Sequence, residues 1–500
     1  MIYYLFLLIF LAAFFVLAIK RPDWAVMLII ASLPLYLARF KLFVPLTLLE
    51  AMILIAFFCW FIFQTRFWDF LRGKYSVKDF LKNSPWRKDG SAAGRKKYPF
   101  GIEIVLLLIV SLFAVGVAHF SAASLGLWKA YFFEPALLYI LILNLFKDKE
   151  GLNKIGLSLA IGALTVSVYA IFQEFTGIGI ANPLWQAEAT RRAVSFFGYP
   201  NAVGLYLGPI IPVLAGFLFL PAKKDFSPLE EKIHYPLPKE KISSIGLSKA
   251  FLGFIILAAL AAIYFAKSTG TLVGLAVAAF VFCLLANKKA RIAAILIVLI
   301  AGIGIYFYPP IEKPLVRKIT AHDLSGQIRR LQWKETLMML NGQAKIFGVG
   351  LGNYQSAVAP YHQPGFFYDD GTDPLFHQHT IESAAVRART WQPVEIYLYP
   401  HDIILNFWTE LGLAGLLLFA WIIGKFIITL IKNLIIISKF KIQNSKFLFL
   451  GLLSAMITMT VHGLVDVPYF KNDLACLFWI LIAMSAILRI KLTINEKSIK

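Results

Sequence analysis

Along most of this chain apolar residues come in long unbroken runs, set apart by short polar stretches. That is neither the alternation of a half-buried strand nor the narrow stripe of a surface helix. A run of roughly 18–22 apolar residues is long enough to cross a bilayer as a helix, which satisfies its own backbone hydrogen bonds. Such runs fall near residues 2–19, 24–38, 45–64, 101–119, 127–146, 154–173, 199–220, 249–266, 271–287, 292–308, 402–431, 446–463 and 473–490. The pattern predicts an all-α polytopic membrane protein with about 12–13 transmembrane helices. The second run is short and broken by Pro34, so it also fits a re-entrant segment. In this organisation residues 1–64 are N-terminal transmembrane helices and 65–100 a basic loop. Residues 101–308 form the central helices, 309–400 a large loop with amphipathic helices, and 401–500 the C-terminal helices.

Charge fixes the expected orientation. The net charge of +21 invites a nucleic-acid reading, but Lys and Arg gather in 66–97, 147–154, 223–249, 288–291, 432–446 and 489–500. These segments alternate with the apolar runs as cytoplasmic loops do under the positive-inside rule, so the charge reports topology and no nucleic-acid partner is expected. The C-terminus and the loops at 65–100 and 221–248 then lie inside. Residues 174–198, 267–271, 309–400 and 464–472 lie outside. The N-terminus is outside if the second run spans and inside if it is re-entrant. With no basic start and no small-residue cleavage site, the first run reads as a membrane helix rather than a signal peptide. Cys59, Cys283 and Cys476 fall within apolar runs and read as small core residues, with no disulfide or zinc spacing.

Candidate chemistry gathers on the outer side. From Glu395 to Leu418 an aromatic, Pro-containing loop turns at His401 into an apolar helix. Pro400 suits its entrance and Asp402 its first turn. Asp402, Asn406, Thr409 and Glu410 recur at helical spacing, a polar stripe that lipid would not tolerate and that should face protein or a wet cavity. Arg191 and Arg192 precede a helix beginning near Pro200-Asn201; they either meet lipid headgroups or, with Asn201, grip a phosphorylated ligand. Lys267-Ser-Thr-Gly-Thr271 makes a tight turn in which Lys267 is an interfacial anchor or an anion contact. Ser325–Leu340 has helical periodicity, with Arg329 and Arg330 near its start and Leu331, Trp333, Leu337 and Met338 expected to pack downward. Phe347–Asn353 is a glycine-rich turn that allows close backbone approach; it lacks the strand and helix of a nucleotide site. Asp369–His379 holds three Asp and two His, a metal-like composition that ordinary Asp and Gly turns also explain. His462, Asp466 and Lys471 form a last polar cluster. They line the cavity of His401 or satisfy one another. Lys129 can snorkel at the entrance of its run, and Glu134 reads as a packed, partnered carboxylate.

Several of these stretches together resemble the O-antigen ligase and O-antigen polymerase family of membrane glycosyltransferases. They are Arg191–Gly208 with its Pro-Asn-x-x-Gly element, Arg329-x-x-x-Trp333 leading to Gly348-Val-Gly-Leu-Gly352, Tyr399-Pro-His-Asp-x-x-Leu-Asn-Phe-Trp-x-Glu-Leu-Gly412, and His462-Gly-x-x-Asp466. The resemblance implies a C-type glycosyltransferase fold in the bacterial cytoplasmic (inner) membrane, with the active site facing outward. It implies a polyprenyl-diphosphate-linked glycan donor, a glycan, lipid or protein acceptor, and neither metal nor cofactor. By position, His401 and Arg329 carry catalysis. Arg191 or Arg192, with Arg330, Lys267, Asp402, Glu410, His462, Asp466 and Lys471, line the substrates. Two departures stand out. Asp402 follows the histidine where the family often has Asn, and Ser268-Thr269-Gly270 stands where it often has Ser-Arg-Gly. Lys267 replaces that missing arginine only as a point charge.

Elementary chemistry agrees with this reading. Arginines placed at a diphosphate leaving group oppose its developing charge, and a neutral histidine can take the proton of a sugar hydroxyl. A transporter or flippase for lipid-linked glycans would use the same arginines without chemistry, but no internal repeat or midplane break marks the chain as one. A cell-wall glycan polymerase of another membrane family keeps the chemistry and changes the acceptor. Ligase and polymerase share the same residues.

Overall fold

The computed structural model describes residues 2–41, 45–64, 98–220, 248–308, 310, 312, 316–318, 320–439 and 445–499. Most of the two basic loops on which the orientation rests, 65–97 and 221–247, therefore lies outside the described residues. The protein is an all-α polytopic membrane protein. Among the described residues, eight helices are long and apolar enough to cross a membrane, and five shorter apolar helices occupy the remaining predicted runs. The run broken by Pro34 forms the helix Pro22–Ala31 followed by a tight turn of 3₁₀ helix, Leu33–Leu37. Two short antiparallel ladders, Arg39–Lys41 with Pro45–Thr47 and Gly365–Phe367 with Trp391–Pro393, are the strands among the described residues.

Local sequence explains the helix ends near the polar clusters. Thr47 and Glu50 form a reciprocal capping box at the start of Leu48–Cys59, with Glu50 Oε2 accepting from Thr47 N at 2.8 Å. Lys129 does not snorkel; its ammonium lies 3.1 Å from Glu50 and 3.7 Å from Glu134. Glu134 is thus a partnered carboxylate. Cys59 and Cys476 are buried, Cys283 is half-buried, and all three are free thiols.

The expected span at 402–431 differs in an instructive way. Helix Ile403–Lys439 is two helical pieces joined at Gly412, whose φ of 72° is left-handed. The polar stripe sits on the piece before the break, so it faces protein, with Asn406, Thr409 and Glu410 all buried. Gly348, also left-handed at φ 73°, crosses this piece so closely that a side chain at either glycine would strike backbone. Val349 N donates to Thr409 O at 2.7 Å, and Leu351 N donates to Ala114 O at 3.3 Å. The glycine-rich turn is thereby wedged between the polar helix and the end of Gly101–Val117. We call the end of the bundle that carries residues 309–400 the loop side.

The helix Leu324–Met339 on that side reverses the expected packing. Its buried face is Gln332, Glu335, Thr336 and Met339, while Leu337 and Met338 are exposed. The inner face is polar because it has polar partners. Gln363 N donates to Glu335 at 2.7 Å, and the Thr336 and Tyr354 hydroxyls meet at 2.9 Å. The Asp- and His-rich stretch is turn followed by a short helix. His377 and His379 lie on the helix Phe376–Glu382, where a two-residue spacing points them apart. Asp369, Asp370 and Asp373 each accept a backbone N–H two residues on, and Asp373 also pairs with His379 at 2.7 Å.

Candidate active site

His401 is the last but one residue before the polar helix, and its φ of 49° is left-handed. A side chain held there is strained, and such strain persists only where the surroundings over-determine it. They do so here. Tyr397 and Tyr399 flank the imidazole with ring centres 5.1 and 4.7 Å away. Nδ1 lies 3.1 Å from Gln332 Oε1. With the amide oxygen placed toward the ring, Nδ1 must donate, which leaves the lone pair on Nε2. Burial lowers the affinity of the ring for a proton below the usual imidazole value. Asp466 opposes that shift and the charge of Arg329 adds to it.

Arg329 and Gln332 are three residues apart, so one helix delivers both to the same face. Arg329 Nη1 donates to Ser325 Oγ at 2.7 Å, and its buried Nε has no hydrogen-bond partner. The second arginine is Arg192. Its Nε donates to Ala266 O at 3.1 Å, and its Nη2 donates to Asn201 Oδ1 at 3.2 Å and Lys267 O at 3.4 Å. Burial and the field of Arg329 both lower its pKa. Among the described residues neither guanidinium forms an ion pair with a carboxylate. Two half-buried cations without a carboxylate partner among the described residues leave a positive field of the kind that suits an anion.

Asn201 ties this pair to the far hairpin by donating from Nδ2 to Asp466 Oδ2 at 3.1 Å, while Asp466 Oδ1 accepts from Val467 N at 2.8 Å. His462 is buried, with Nδ1 3.2 Å from Thr271 Oγ1, so it packs against the turn at 267–271. Tyr399 donates to the Tyr199 hydroxyl at 3.2 Å. The Lys471 ammonium lies over the rings of Tyr199, Phe197 and Tyr36, at 4.5, 5.4 and 5.6 Å. Burial pulls its pKa down, against the pull of Asp473 and Asp466.

The structure therefore brings together His401, Arg329, Arg192, Asp466 and, behind Tyr199, Lys471. Other expected site residues are engaged elsewhere. Arg191 donates to the carbonyls of Glu174 (2.8 Å) and Gln186 (3.1 Å), close to a helix end whose carbonyls lack helical partners. Asp402 is the cap of the polar helix, its Oδ1 accepting from Leu405 N at 2.7 Å; burial raises its pKa and those amides oppose the rise. Glu410 accepts from Gly352 N at 2.5 Å and so anchors the glycine turn. Arg330 lies about 100° round the helix from Arg329 and reaches His322 Nε2 at 3.1 Å, away from the imidazole. The Lys267 side chain is exposed, and it is its carbonyl oxygen that meets Arg192. Sequence reasoning missed Gln332 and the Tyr199–Tyr399 pair. The three-residue step from Arg329 was the available signal for Gln332. Among the described residues no group of three His, Cys, Asp or Glu is placed to hold a metal ion.

Fold and site together define a multi-pass helical membrane protein with a polar, arginine- and histidine-bearing centre on one side. Residues 254–420 match the family model described as O-antigen ligase, which bears out the resemblance carried by Arg329–Gly352 and Tyr399–Gly412. The match covers a third of the chain and includes His401, Arg329 and Gln332; Arg192 and Asp466 lie outside it. Over that stretch the chain is similar to O-antigen ligases. No curated protein matches the chain.

Proposed function

We propose that the protein transfers a glycan from a polyprenyl-diphosphate carrier to a hydroxyl of a glycan, lipid or protein acceptor, at the outer face of the bacterial cytoplasmic membrane. The observation that carries this reading is the convergence of Arg192 and Arg329, without a carboxylate counter-ion, beside a histidine whose tautomer is held. Arg329 and Arg192 grip the diphosphate. The acceptor oxygen bonds to the anomeric carbon as its proton passes to His401 Nε2, and the bond from that carbon to the phosphate oxygen breaks. The polyprenyl diphosphate leaves with the electron pair, and the guanidiniums oppose the charge it gains. Asp466 stabilises the imidazolium formed in that step, and Gln332 keeps Nε2 toward the acceptor. Lys471 and His462 hold the walls of the cavity, and the arginines supply the positive charge a metal would otherwise bring.

The purified chain in liposomes, given a polyprenyl-diphosphate glycan and an acceptor glycan or glycolipid, should release polyprenyl diphosphate and form a new glycosidic bond, with chelator present. Movement of intact donor across the bilayer without bond formation would instead make the protein a carrier.

A further inference from the structure

The helix Leu324–Met339 is amphipathic in the wrong sense for a segment surrounded by water. Its protein side is mostly polar, whereas its open side carries Trp333, Leu337 and Met338 beside Arg330 and Lys334. Positions 330, 333, 334, 337 and 338 follow helical spacing, so they form one stripe. They line an open groove of about 460 Å³. Leu337 is 53% exposed and Met338 46%, and the apolar surface continues through Ile346 and Phe347. The Phe347 ring lies 5.8 Å from that of Phe113, itself exposed on the flank of the apolar helix Gly101–Val117. Leu351 is hydrogen-bonded to Ala114 at the end of the same helix. The stripe thus continues the lipid-facing surface of the bundle at its loop-side edge. Its charges are all cationic, Arg330, Lys334 and nearby Lys345, and the one carboxylate of this part of the helix, Glu335, is turned inward.

We propose that this face lies in the headgroup boundary of the loop-side leaflet, with Arg330 and Lys334 meeting anionic phospholipid headgroups and Trp333, Leu337 and Met338 entering the acyl edge. An apolar stripe bordered by cations is the form of a helix that lies in a membrane surface. Gln332 on the opposite face and Arg329 on the flank are then held at a fixed depth. The lipid contact itself does not depend on the transfer reading; only its usefulness to a lipid-linked donor does.

The test uses the full chain with Cys59, Cys283 and Cys476 replaced by Ala and a nitroxide on Leu337→Cys, in phosphatidylcholine vesicles with and without phosphatidylglycerol. Ala384→Cys, exposed in the same large loop, is the reference. The label at 337 should collide more with oxygen than with a water-soluble nickel complex, the reverse of 384. Phosphatidylglycerol should deepen it, and R330Q with K334Q should remove that deepening. Greater access of the nickel complex at 337, or no response to phosphatidylglycerol, overturns the proposal. Dipolar broadening between labels of two copies would assign the face to a second copy and overturn it as well. These readouts stand whether or not glycan transfer is detected.

Discussion

Two polar clusters on the loop side differ in how their charge is met. The charge of Glu50 is met within the protein: Oε2 faces Lys129 at 3.1 Å, and Oε1 accepts from Asn472 Nδ2 at 3.0 Å. Around His401, Arg192 and Arg329 lack carboxylate partners and repel each other. The first arrangement links the helix Leu48–Cys59 to the helices around Lys129 and Asn472. The second keeps an electrostatic deficit that an anionic ligand can remove. Uncompensated charge, rather than polarity as such, separates a binding centre from a structural cluster in an apolar protein.

The sharpest way to break the comparison is at His401. His401→Ala should lower turnover by roughly 10²–10⁴-fold, the usual worth of acid–base assistance, with donor affinity nearly intact. Transfer measured in liposomes, with donor binding measured separately, decides it. A folded variant that transfers at the unaltered rate would remove the histidine from the chemistry.

The next test exchanges the two clusters. Lys129→Met leaves Glu50 and Glu134 facing each other without a cation and should cost about 2–4 kcal/mol, below the top of the range for buried pairs because Lys129 is partly open to its surroundings. Thermal unfolding in detergent reads that loss. Arg329→Ala should do the opposite: it relieves repulsion on Arg192, so apo stability holds or rises. Donor binding should nonetheless weaken roughly 10–150-fold, the range for a lost hydrogen bond to a charged group. Lys at 329 should restore part of it, because it keeps the charge and loses the planar fork. Equal loss of stability in both variants would erase the distinction.

Much of this was legible before the structure, and the misses share a cause. Long apolar runs specify helices almost without regard to context, and so the membrane class and the run positions could be read directly. His401 and Arg329 stood out in the sequence because their motifs are local. Which of Arg191 and Arg192 faces the centre depends on whether a helix end or Asn201 claims the side chain, and that is tertiary. Glu410 and Asp402 lay on a correctly read stripe, yet Gly352 and Leu405 amides occupy them. The reversed face of Leu324–Met339 could not be read from periodicity alone. Periodicity finds a stripe without saying whether protein or lipid takes it.

The smallest effect concerns Gln332, whose Oε1 lies 3.1 Å from His401 Nδ1. His401 is buried with a proton affinity below that of a free imidazole. Transfer should therefore hold through neutral pH and fall only below the ordinary imidazole range of about 6.5, as Nε2 takes up a proton and can no longer act as base. Stability should fall in the same direction. The unfolded chain binds a proton at pH values where the folded one resists it, so the contribution present above 6.5 is lost as pH drops toward the folded value. Gln332→Leu keeps the volume and removes the acceptor. It should lower turnover by about tenfold, the scale of one neutral hydrogen bond, and change the pH profile because the ring can then take either tautomer. Gln332→Glu should hold Nδ1–H more firmly and move the acid limb to higher pH by stabilising the imidazolium. If both variants shift the rate without moving the limb, Gln332 is a packing residue and the tautomer of His401 is set elsewhere.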